Sequence, residues 1–588
     1  MKEKIINILK EYNTDKGRLM DILLDIQGEY HHISDEAVRI IADQLDISKV
    51  DVEQTISFYH FFSLEPVGKY AIYLNDSAVA NMFGREEVAK AFEKELGIPF
   101  NAVTGDGLVG IWDTADIGMN DQEPAALING EIFPNLDPAK VKTIVSGIKS
   151  GKEIKDLLPA KVEDNIRKEG PVLFSEYEVG AGLKKALSLT PEQVVDEVKA
   201  SNVRGRGGAG FPAGMKWDFC RKSGGDEVYL VCNADEGEPG TFKERVILTK
   251  LPKLLFEGMA IAAYALNVKE GIIYLRYEYS YLKALLESAI QEMRDEKLLG
   301  NAIGGKSGFD FDIRIQLGAG AYVCGEESGL LESMEGKRGE PRNRPPFPVE
   351  KGYLDKPTVV NNVETLCCVT KVMINGADWF KAIGTKESAG TKLLSISGDC
   401  EKPGVYEVDW GLSISEMLDM VGASSVQAVQ VGGPSGTCID PSHFNKKIAF
   451  EDLATGGSMI VIGQERNLLN DFVLNFMEFF IEESCGSCGP CRSLTVTLKN
   501  KLNRILSGDG TQNDIDELYN WAGVGAAVNR CGLGQTSARP IISTIENFRG
   551  LYEGLVKTDA QYLSAFNMDE AVSESCEVVG RVPNIKSH

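Results

Sequence analysis

The chain has 588 residues, of which 43% are hydrophobic and 25% charged, a composition typical of a globular protein with several domains. Its net charge of −24 argues against nucleic acid as a partner, because binding a phosphate backbone needs a basic face. The longest uncharged apolar stretch, near residues 258–268, is too short to span a membrane. Residues 1–10 predict a charged amphipathic helix rather than a secretory signal, so we expect a cytoplasmic protein.

The first third of the chain predicts two small domains. Residues 1–65 predict a bundle of short helices, one of them with Ser34 as its N-cap. Residues 66–155 then alternate between strands and helices, the pattern of a small α/β domain. Residues 156–178 predict a linker.

The rest of the chain predicts three further domains and a tail. Residues 175–388 predict a larger α/β domain, and residues 389–465 a β-rich domain with glycine and proline turns. Helical periodicity returns over residues 466–553, and residues 554–588 predict a C-terminal tail. The predicted fold class is therefore a multidomain α/β protein with a helical bundle near its C-terminus.

Four cysteines form the most specific pattern in the sequence. Cys485, Cys488 and Cys491 lie close together with glycines between them, and Cys531 follows in Arg-Cys-Gly-Leu-Gly. Four thiolates can hold an iron–sulfur cluster. A structural zinc site is an alternative, although it usually uses two separated Cys-x-x-Cys pairs. Disulfides are a weaker alternative because the other eight of the 12 cysteines are scattered.

A glycine-rich loop at residues 205–210 is a candidate phosphate site. The predicted element before it is a helix capped by Thr190, which excludes the standard dinucleotide fingerprint because that pattern needs a preceding strand. Clustered glycines nevertheless expose backbone N–H groups, and Arg204, Arg206 and Lys216 add positive charge.

Two acidic clusters follow predicted strands in the same domain. One is Asn233-Ala-Asp-Glu-Gly-Glu-Pro-Gly, and the other is Cys324-Gly-Glu-Glu-Ser-Gly. Ligands of open α/β sheets bind at the carboxyl ends of the strands, where carboxylates suit sugar hydroxyls. Each acid alone would be interpreted as an ordinary residue at a helix N-terminus. Together with the basic glycine loop, the two clusters predict a ligand site.

These motifs are followed by Pro-Pro-Phe-Pro, Asn-Asn-Val-Glu-Thr and the cysteine pattern. Together they resemble the NADH-oxidising flavin subunit of respiratory complex I and its soluble relatives. The resemblance covers residues from about 180 to 550 in the same order. It is closest to the diaphorase (alpha) subunits of NAD-reducing soluble nickel–iron hydrogenases. It implies an FMN/NADH-binding domain at 175–388, a soluble-ligand-binding β-grasp domain at 389–465 and a 4Fe–4S domain at 466–553.

The resemblance also implies roles for individual residues. Those implied to hold FMN are Gly205, Arg206, Gly207, Gly208, Lys216, Asn233, Asp235, Glu236, Tyr322, Gly325, Glu326, Asn361, Asn362 and Thr365. Those implied to contact the substrate NAD(H) are Phe211, Phe219, Glu238, Glu327, Arg344 and Phe347. Those implied to bind the 4Fe–4S cluster are Cys485, Cys488, Cys491 and Cys531. Arg344 stands where complex I usually has lysine, and no side chain is implied as catalytic because the flavin carries the chemistry.

The first 150 residues resemble the small thioredoxin-like subunit that accompanies this flavoprotein, here fused to its front. That family binds a 2Fe–2S cluster through two pairs of cysteines. Asn75, Ala80, Asp116 and Asn120 stand at the four positions, and no cysteine precedes Cys220. We therefore expect a thioredoxin-like domain at 66–155 with no 2Fe–2S cluster and a structural role.

The implied function is that of an NADH dehydrogenase (diaphorase) subunit. It would exchange hydride between NAD(H) and FMN and single electrons with the 4Fe–4S cluster, beside an iron–sulfur subunit and a downstream catalytic subunit, which we expect to be a hydrogenase. An electron-bifurcating hydrogenase, an NAD-dependent formate dehydrogenase or complex I would use the same subunit with other partners. An inert scaffold or nucleotide sensor is the non-enzyme alternative. Glu238 and Glu327 should favour NAD over NADP, since a carboxylate accepts ribose hydroxyls and repels a 2′-phosphate.

Overall fold

The computed structural model describes residues 1–557 and 568–582. Three β-sheets and the helices around them account for most of these residues. No helix in the described ranges is both long and apolar enough to cross a membrane. The predicted class, a multidomain α/β protein with a helical C-terminal region, is confirmed.

The N-terminal region consists of short helices, two of which begin at side-chain caps. The helices are α1 (Lys2–Glu11), α2 (Leu19–Tyr30), α3 (Asp35–Leu45) and α4 (Lys49–Ile56). The Ser34 hydroxyl accepts a hydrogen bond from the Ala37 N–H, which confirms the predicted cap. Ser48 forms a reciprocal capping box with Asp51, which the sequence analysis did not predict.

The first sheet belongs to the small α/β region. Its strands are β1 (Tyr70–Asn75), β2 (Ala102–Val103), β3 (Val109–Thr114), β4 (Ala126–Ile128) and β5 (Glu131–Phe133), in the spatial order β2-β3-β1-β4-β5. Its helices are α5 (Ala78–Met82), α6 (Arg85–Leu96) and α7 (Pro138–Lys149). The buried Asp116 carboxylate accepts a hydrogen bond from the Gly240 N–H at 2.7 Å, which joins this region to the next one.

The second sheet is entirely parallel and positions the candidate site. Its strands are β7 (Tyr229–Ala234), β8 (Glu270–Leu275), β9 (Asp312–Leu317) and β10 (Thr358–Asn362), in the order β10-β7-β8-β9. Its helices are α8 (Ala181–Leu187), α9 (Pro191–Ala200), α10 (Ala213–Ser223), α11 (Lys243–Lys250), α12 (Pro252–Leu266), α13 (Lys283–Asp295), α14 (Glu327–Met334), α15 (Val363–Asn375) and α16 (Ala377–Lys381). Because all four strands run the same way, the acidic and amide motifs that follow them lie at one edge.

The third sheet is mixed and includes a strand that the sequence pattern did not predict. Its strands are β6 (Ile166–Lys168), β11 (Thr391–Gly398), β12 (Gly404–Asp409), β13 (Val426–Val431), β14 (Thr437–Ile439) and β15 (Ser458–Gly463), with helix α17 (Ile414–Val421) against them. Strand β6 lies in the predicted linker and pairs with β12. The linker prediction missed this contact because one carboxylate holds the segment: Glu407 accepts hydrogen bonds from the backbone N–H groups of Gly170, Val172, Leu173 and Phe174.

The C-terminal region is helical, as predicted. A π-helical segment (Leu468–Leu474) leads into α18 (Asn475–Glu482), followed by α19 (Gly489–Leu506), α20 (Gln512–Val528), α21 (Gly532–Thr536), α22 (Arg539–Glu553) and α23 (Met568–Val578). Parts of the predicted tail, residues 558–567 and 583–588, lie outside the described residues.

Candidate flavin, nucleotide and cluster site

A cavity of about 790 Å³ lies where the second sheet meets the third sheet and the C-terminal helices. Its volume is in the range of nucleotide and cofactor sites. Ten of the predicted site residues line it: Gly207, Gly208, Asn233, Asp235, Glu236, Glu238, Tyr322, Gly325, Glu326 and Asn362. The other predicted cofactor and nucleotide residues lie behind this lining or outside the cavity: Gly205, Arg206, Phe211, Lys216, Phe219, Glu327, Arg344, Phe347, Asn361 and Thr365.

The glycine loop forms one wall of the cavity and is held from behind. Gly208 has a φ of 119°, and a Cβ there would meet nothing within 4 Å, so the backbone is open to a ligand. The N–H of Arg206 donates to the Thr365 hydroxyl at 2.9 Å. Its buried guanidinium donates to the carbonyl oxygen of Ala389 at 2.7 Å and lies 5.3 Å from the centre of the Trp410 ring. The charge of Arg206 therefore supports the loop and does not face the cavity.

The acidic motif after β7 contributes a buried carboxylate with a free oxygen. The Asn233 side chain donates to the Gly325 carbonyl oxygen at 2.9 Å and accepts from the Asp235 N–H at 3.0 Å. One carboxylate oxygen of Asp235 is buried without a hydrogen-bond partner, and burial raises the pKa of Asp235 well above its usual value. A sugar or ribityl hydroxyl would supply the missing donor, so this wall fits a polyhydroxylated ligand.

Glu236 and Glu238 have different surroundings. Glu236 accepts from the N–H groups at the start of α11, those of Glu244 at 2.8 Å and Arg245 at 3.1 Å, and so acts as a helix cap. Glu238 accepts from the Tyr322 hydroxyl at 2.6 Å and the Ser435 N–H at 2.9 Å. Burial raises the pKa of Glu238, and these two donors oppose the rise. Glu238 therefore connects the second sheet to the third at the cavity wall.

The sequence interpretation missed a buried ionic group that forms part of this wall through Lys243 and Glu244. Lys243 pairs with Glu244 and, at 2.9 Å, with Glu364, and Lys392 of β11 pairs with the same Glu364. Burial disfavours the charge on Lys243, but Glu244 and Glu364 outweigh it and raise the pKa of Lys243. Burial lowers the pKa of Lys392 to about 7. The one signal in the sequence is that Lys243 and Glu244 come just after the acidic motif. Adjacent opposite charges usually mark a solvated helix start, so this signal did not predict a buried ion pair.

The two asparagines at the end of β10 are fixed by their neighbours. The Asn361 side chain accepts from the Trp217 indole N–H at 2.8 Å. The Asn362 side chain donates to Glu244 at 2.6 Å and caps α15. Asn362 thus reaches the cavity, whereas the Asn361 side chain is held by the buried Trp217 of α10.

The residues predicted for the nucleotide, apart from Glu238, form an outer rim. The Phe211 and Phe219 rings lie 6.3 Å apart and are each 44% exposed, and Phe347 is 49% exposed. Glu327 pairs with Lys216 at 2.8 Å and with Arg344 at 3.5 Å. An exposed aromatic platform beside a carboxylate suits a purine ring and a ribose.

The four predicted cluster cysteines lie together at helix ends. Cys488 is the N-cap of α19, Cys491 lies in its first turn and Cys531 is the N-cap of α21, while Cys485 precedes them in the loop. All four belong to one packed group of apolar residues, and burial raises the pKa of the Cys531 thiol to about 11. Among the residues described, no three His, Cys, Asp or Glu side chains converge closely enough to hold a single metal ion.

The four thiols and the cavity are contiguous. Gly532 and Leu533, which directly follow Cys531, line the cavity. Cys488 and Cys531 stand at helix N-termini, where the helix dipole stabilises negative charge, so the donor set fits an anionic thiolate-bound cluster.

Three family models match the chain. Residues 198–371 match the Nuo51 FMN-binding domain, and residues 471–554 match the NADH-ubiquinone oxidoreductase-F iron-sulfur binding region. Residues 5–149 match the thioredoxin-like [2Fe-2S] ferredoxin family.

The last of these matches corrects the expectation that the N-terminal domain has no 2Fe–2S cluster. That expectation depended on four side chains, Asn75, Ala80, Asp116 and Asn120, whereas the match extends over the whole segment and is to a [2Fe-2S] family. The absence of cysteines at these positions does not exclude a cluster, because iron accepts nitrogen and oxygen ligands besides thiolates.

Several relatives match long stretches of the chain. The NAD-reducing hydrogenase HoxS subunit alpha of Cupriavidus necator is 48% identical, over 97% of this chain and 98% of that protein. The F 2 subunit of NADH-quinone oxidoreductase of Rhizobium meliloti is 43% identical, over 64% of this chain and 93% of that protein. A crystal structure of NAD+-reducing [NiFe]-hydrogenase in the H2-reduced state superimposes with a TM-score of 0.87 at 36% identity, over 97% of both chains. The chain therefore belongs to the family of flavin- and iron–sulfur-binding oxidoreductase subunits that includes the alpha subunit of NAD-reducing hydrogenase and its counterparts in NADH-quinone oxidoreductase.

Proposed function

We propose that this chain is a diaphorase subunit that exchanges hydride between NAD(H) and FMN, and single electrons with a 4Fe–4S cluster. The observation that carries the proposal is the continuity of the cavity with the cysteine quartet through Gly532 and Leu533. A ligand site for a two-electron donor and a site for a one-electron carrier therefore share a wall.

The chain's residues fit FMN in the cavity. Bound FMN supplies the chemistry, accepting hydride from NADH and releasing the electrons one at a time. The open backbone at Gly208 offers N–H groups to the phosphate, and the unpartnered oxygen of Asp235 accepts a ribityl hydroxyl. Glu238 is held by the Tyr322 hydroxyl and the Ser435 N–H before any ligand binds, so its carboxylate is preorganised at the cavity wall.

The rim residues would select and orient the nucleotide. Phe211, Phe219 and Phe347 offer exposed ring faces on which the adenine can stack. Glu327 accepts ribose hydroxyls and disfavours a 2′-phosphate, which makes NAD the preferred substrate.

The four cysteines would hold the cluster at the exit from the cavity. We propose an iron–sulfur subunit as the immediate partner and a hydrogenase as the downstream catalytic subunit. The support for the second is the full-length similarity to a hydrogenase alpha subunit, including the N-terminal region. All 12 cysteines are unpaired, which is consistent with the reducing cytoplasm that we propose as its location.

A cysteine substitution tests the proposal on the purified chain. We expect Cys531→Ser to lose the iron and sulfide of the 4Fe–4S cluster while keeping FMN absorbance and NADH-dependent reduction of an artificial dye. Cys400→Ser removes a half-buried thiol outside the quartet and should keep both. Zinc in place of iron in the unmodified chain, or no bound flavin, would contradict the proposal.

A further inference from the structure

The buried ionic group consists of Lys392, Glu364, Lys243 and Glu244 and reaches from the third sheet to the cavity. Lys392 of β11 pairs with Glu364 in the first turn of α15. The same carboxylate lies 2.9 Å from the ammonium nitrogen of Lys243, which pairs in turn with Glu244. Lys243 and Glu244 line the cavity, whereas Lys392 and Glu364 are fully buried behind them. The ionic group therefore connects a lysine of the third sheet to the wall of a ligand site.

The glycine loop lies beside the same end of α15. A Cβ built on Gly207 would lie 3.4 Å from the Cβ of Asn362, which is the N-cap of α15. The Asn362 side chain donates to the Glu244 carboxylate at 2.6 Å, so it joins the loop to the ionic group. Gly207, Gly208 and Asn362 line the cavity together with Lys243 and Glu244. A phosphate bound by the backbone N–H groups of this loop, as we propose for FMN, would therefore lie close to the ionic group.

The ionic group and the neighbouring Arg206 have one positive charge in excess when Lys392 is protonated. Burial opposes the charge on Glu244, but Lys243 outweighs it and lowers the pKa of Glu244 to about 2. Burial also opposes the charge on Glu364, but Lys392 and Lys243 hold its pKa below the usual value. The buried guanidinium of Arg206 acts on Glu364 in the same direction. Both carboxylates are therefore ionised, and the excess charge disappears when Lys392 loses its proton.

Lys392 is the member of this group whose charge changes near neutral pH, because burial lowers its pKa to about 7. Burial raises the pKa of Glu236 well above its usual value and that of Cys368 to about 12, so both keep their protons there. The charged and titratable side chains around Lys392 come from several elements: Glu364 and Cys368 of α15, Lys243 and Glu244 of α11, Glu236 of the motif after β7, Arg206 of the glycine loop and Glu407 of β12.

We propose that the ionic group compensates the charge of the phosphate of the bound flavin, and that Lys392 takes up a proton from solvent when the phosphate enters the cavity. The inference rests on the proposed function, because it takes the cavity as the FMN site. Two added negative charges favour the protonated form of a nearby buried lysine, since charges interact strongly where water is excluded. The ionic group would therefore favour FMN over riboflavin, which has the same ring and ribityl chain without the phosphate.

Proton uptake during flavin binding tests the proposal on the full-length chain from which flavin has been removed. Calorimetric titration with FMN at about pH 8, repeated in buffers of different ionisation enthalpy, should show uptake of about one proton per FMN, because a lysine with a pKa of about 7 is mostly uncharged there. Riboflavin would meet the same hydroxyl-binding carboxylates without bringing a phosphate, so its uptake should be much smaller. Equal uptake with the two flavins would assign the proton to Asp235 or its neighbours and would overturn the proposal.

Two substitutions of Lys392 should change the pH dependence of FMN affinity in different ways. In the unmodified chain the affinity should fall above about pH 7, by up to about tenfold per pH unit, because binding requires one proton. Lys392→Met removes the charge, so FMN should bind about tenfold more weakly at about pH 6.5 and without this pH dependence. Lys392→Arg stays charged, so its FMN affinity at about pH 8.5 should match that of the unmodified chain at about pH 6.5.

Riboflavin and a second buried lysine provide the controls. Riboflavin affinity should stay within about twofold in both Lys392 variants, because the ionic group would act on the phosphate. Lys371 is also fully buried, but it lies about two turns further along α15 and donates to the carbonyl oxygen of Ser175 at 2.6 Å. Lys371→Met should therefore keep the pH dependence of FMN binding.

The remaining outcomes separate this inference from the proposed function. If Lys392→Met keeps both the pH dependence and the preference for FMN over riboflavin, the inference is overturned. Equal loss of FMN affinity at about pH 6.5 in Lys392→Met and Lys392→Arg would assign Lys392 a purely structural role and would also overturn it. If neither variant folds, proton uptake by the unmodified chain decides. Binding of FMN without proton uptake contradicts this inference alone, whereas binding of neither flavin contradicts the proposed function, and the inference with it.

Discussion

The back wall and the outer rim of the cavity differ in how far their side chains are buried and in what those side chains contact. On the back wall, Glu236, Glu244 and Glu364 are buried and each is satisfied by donors from the protein itself. On the rim, the Phe211 and Phe347 rings are exposed. The back wall is therefore part of the folded core, whereas the rim is free to respond to a ligand.

This difference predicts where substitutions should act. Breaking a buried ion pair leaves an uncompensated charge and costs about 3–5 kcal/mol, whereas a surface change away from such features costs within about 0.5 kcal/mol. Back-wall variants should change stability, and rim variants should change nucleotide affinity with little effect on folding.

The largest effect is expected for Glu364→Ala. The substitution removes the carboxylate that the buried side chains of Lys243 and Lys392 share. We expect the free energy of unfolding of the flavin domain to fall by about 3–5 kcal/mol, measured from urea-induced loss of structure. Glu340→Ala, which breaks a surface pair with Arg338, should cost less than about 1 kcal/mol. Equal effects of the two substitutions would mean that the buried ion pairs of the back wall stabilise the fold no more than a surface pair does.

A smaller effect, on specificity rather than stability, is expected for Glu327→Ala. This carboxylate lies between Lys216 and Arg344, so its removal deletes an acceptor for ribose hydroxyls and frees two cations for a 2′-phosphate. The NADH-to-NADPH ratio of kcat/KM should fall about tenfold or more, as for a lost hydrogen bond to a charged group. Glu332→Ala lies on the same helix but pairs with Arg342 outside the cavity and should keep the ratio. An unchanged ratio in Glu327→Ala would contradict the role of this carboxylate.

The sequence predicted the strands and motifs of the site better than the partners of its side chains. The motifs containing Asn233 and Asn362 follow parallel strands, so a local pattern was enough to bring them to one edge. Lys392 lies on β11 and its partner Glu364 in the first turn of α15, and no local pattern specifies such a pair. The burial of the Arg206 side chain could not be predicted from the sequence either, because its partner Ala389 is distant along the chain.

The smallest effect is expected at the aromatic rim. Phe211→Ala removes an exposed ring face, so its loss should raise KM for NADH a few-fold through lost stacking, worth about 1 kcal/mol. The value of kcat should stay nearly constant, because the ring does not line the cavity in which we propose that FMN binds. Phe83→Ala, an equally exposed phenylalanine of the N-terminal region, should change neither parameter. Steady-state kinetics with a dye acceptor separates these outcomes. A fall in kcat for Phe211→Ala would mean that the rim also shapes the reacting geometry, and the separation of rim from wall would then have to be abandoned.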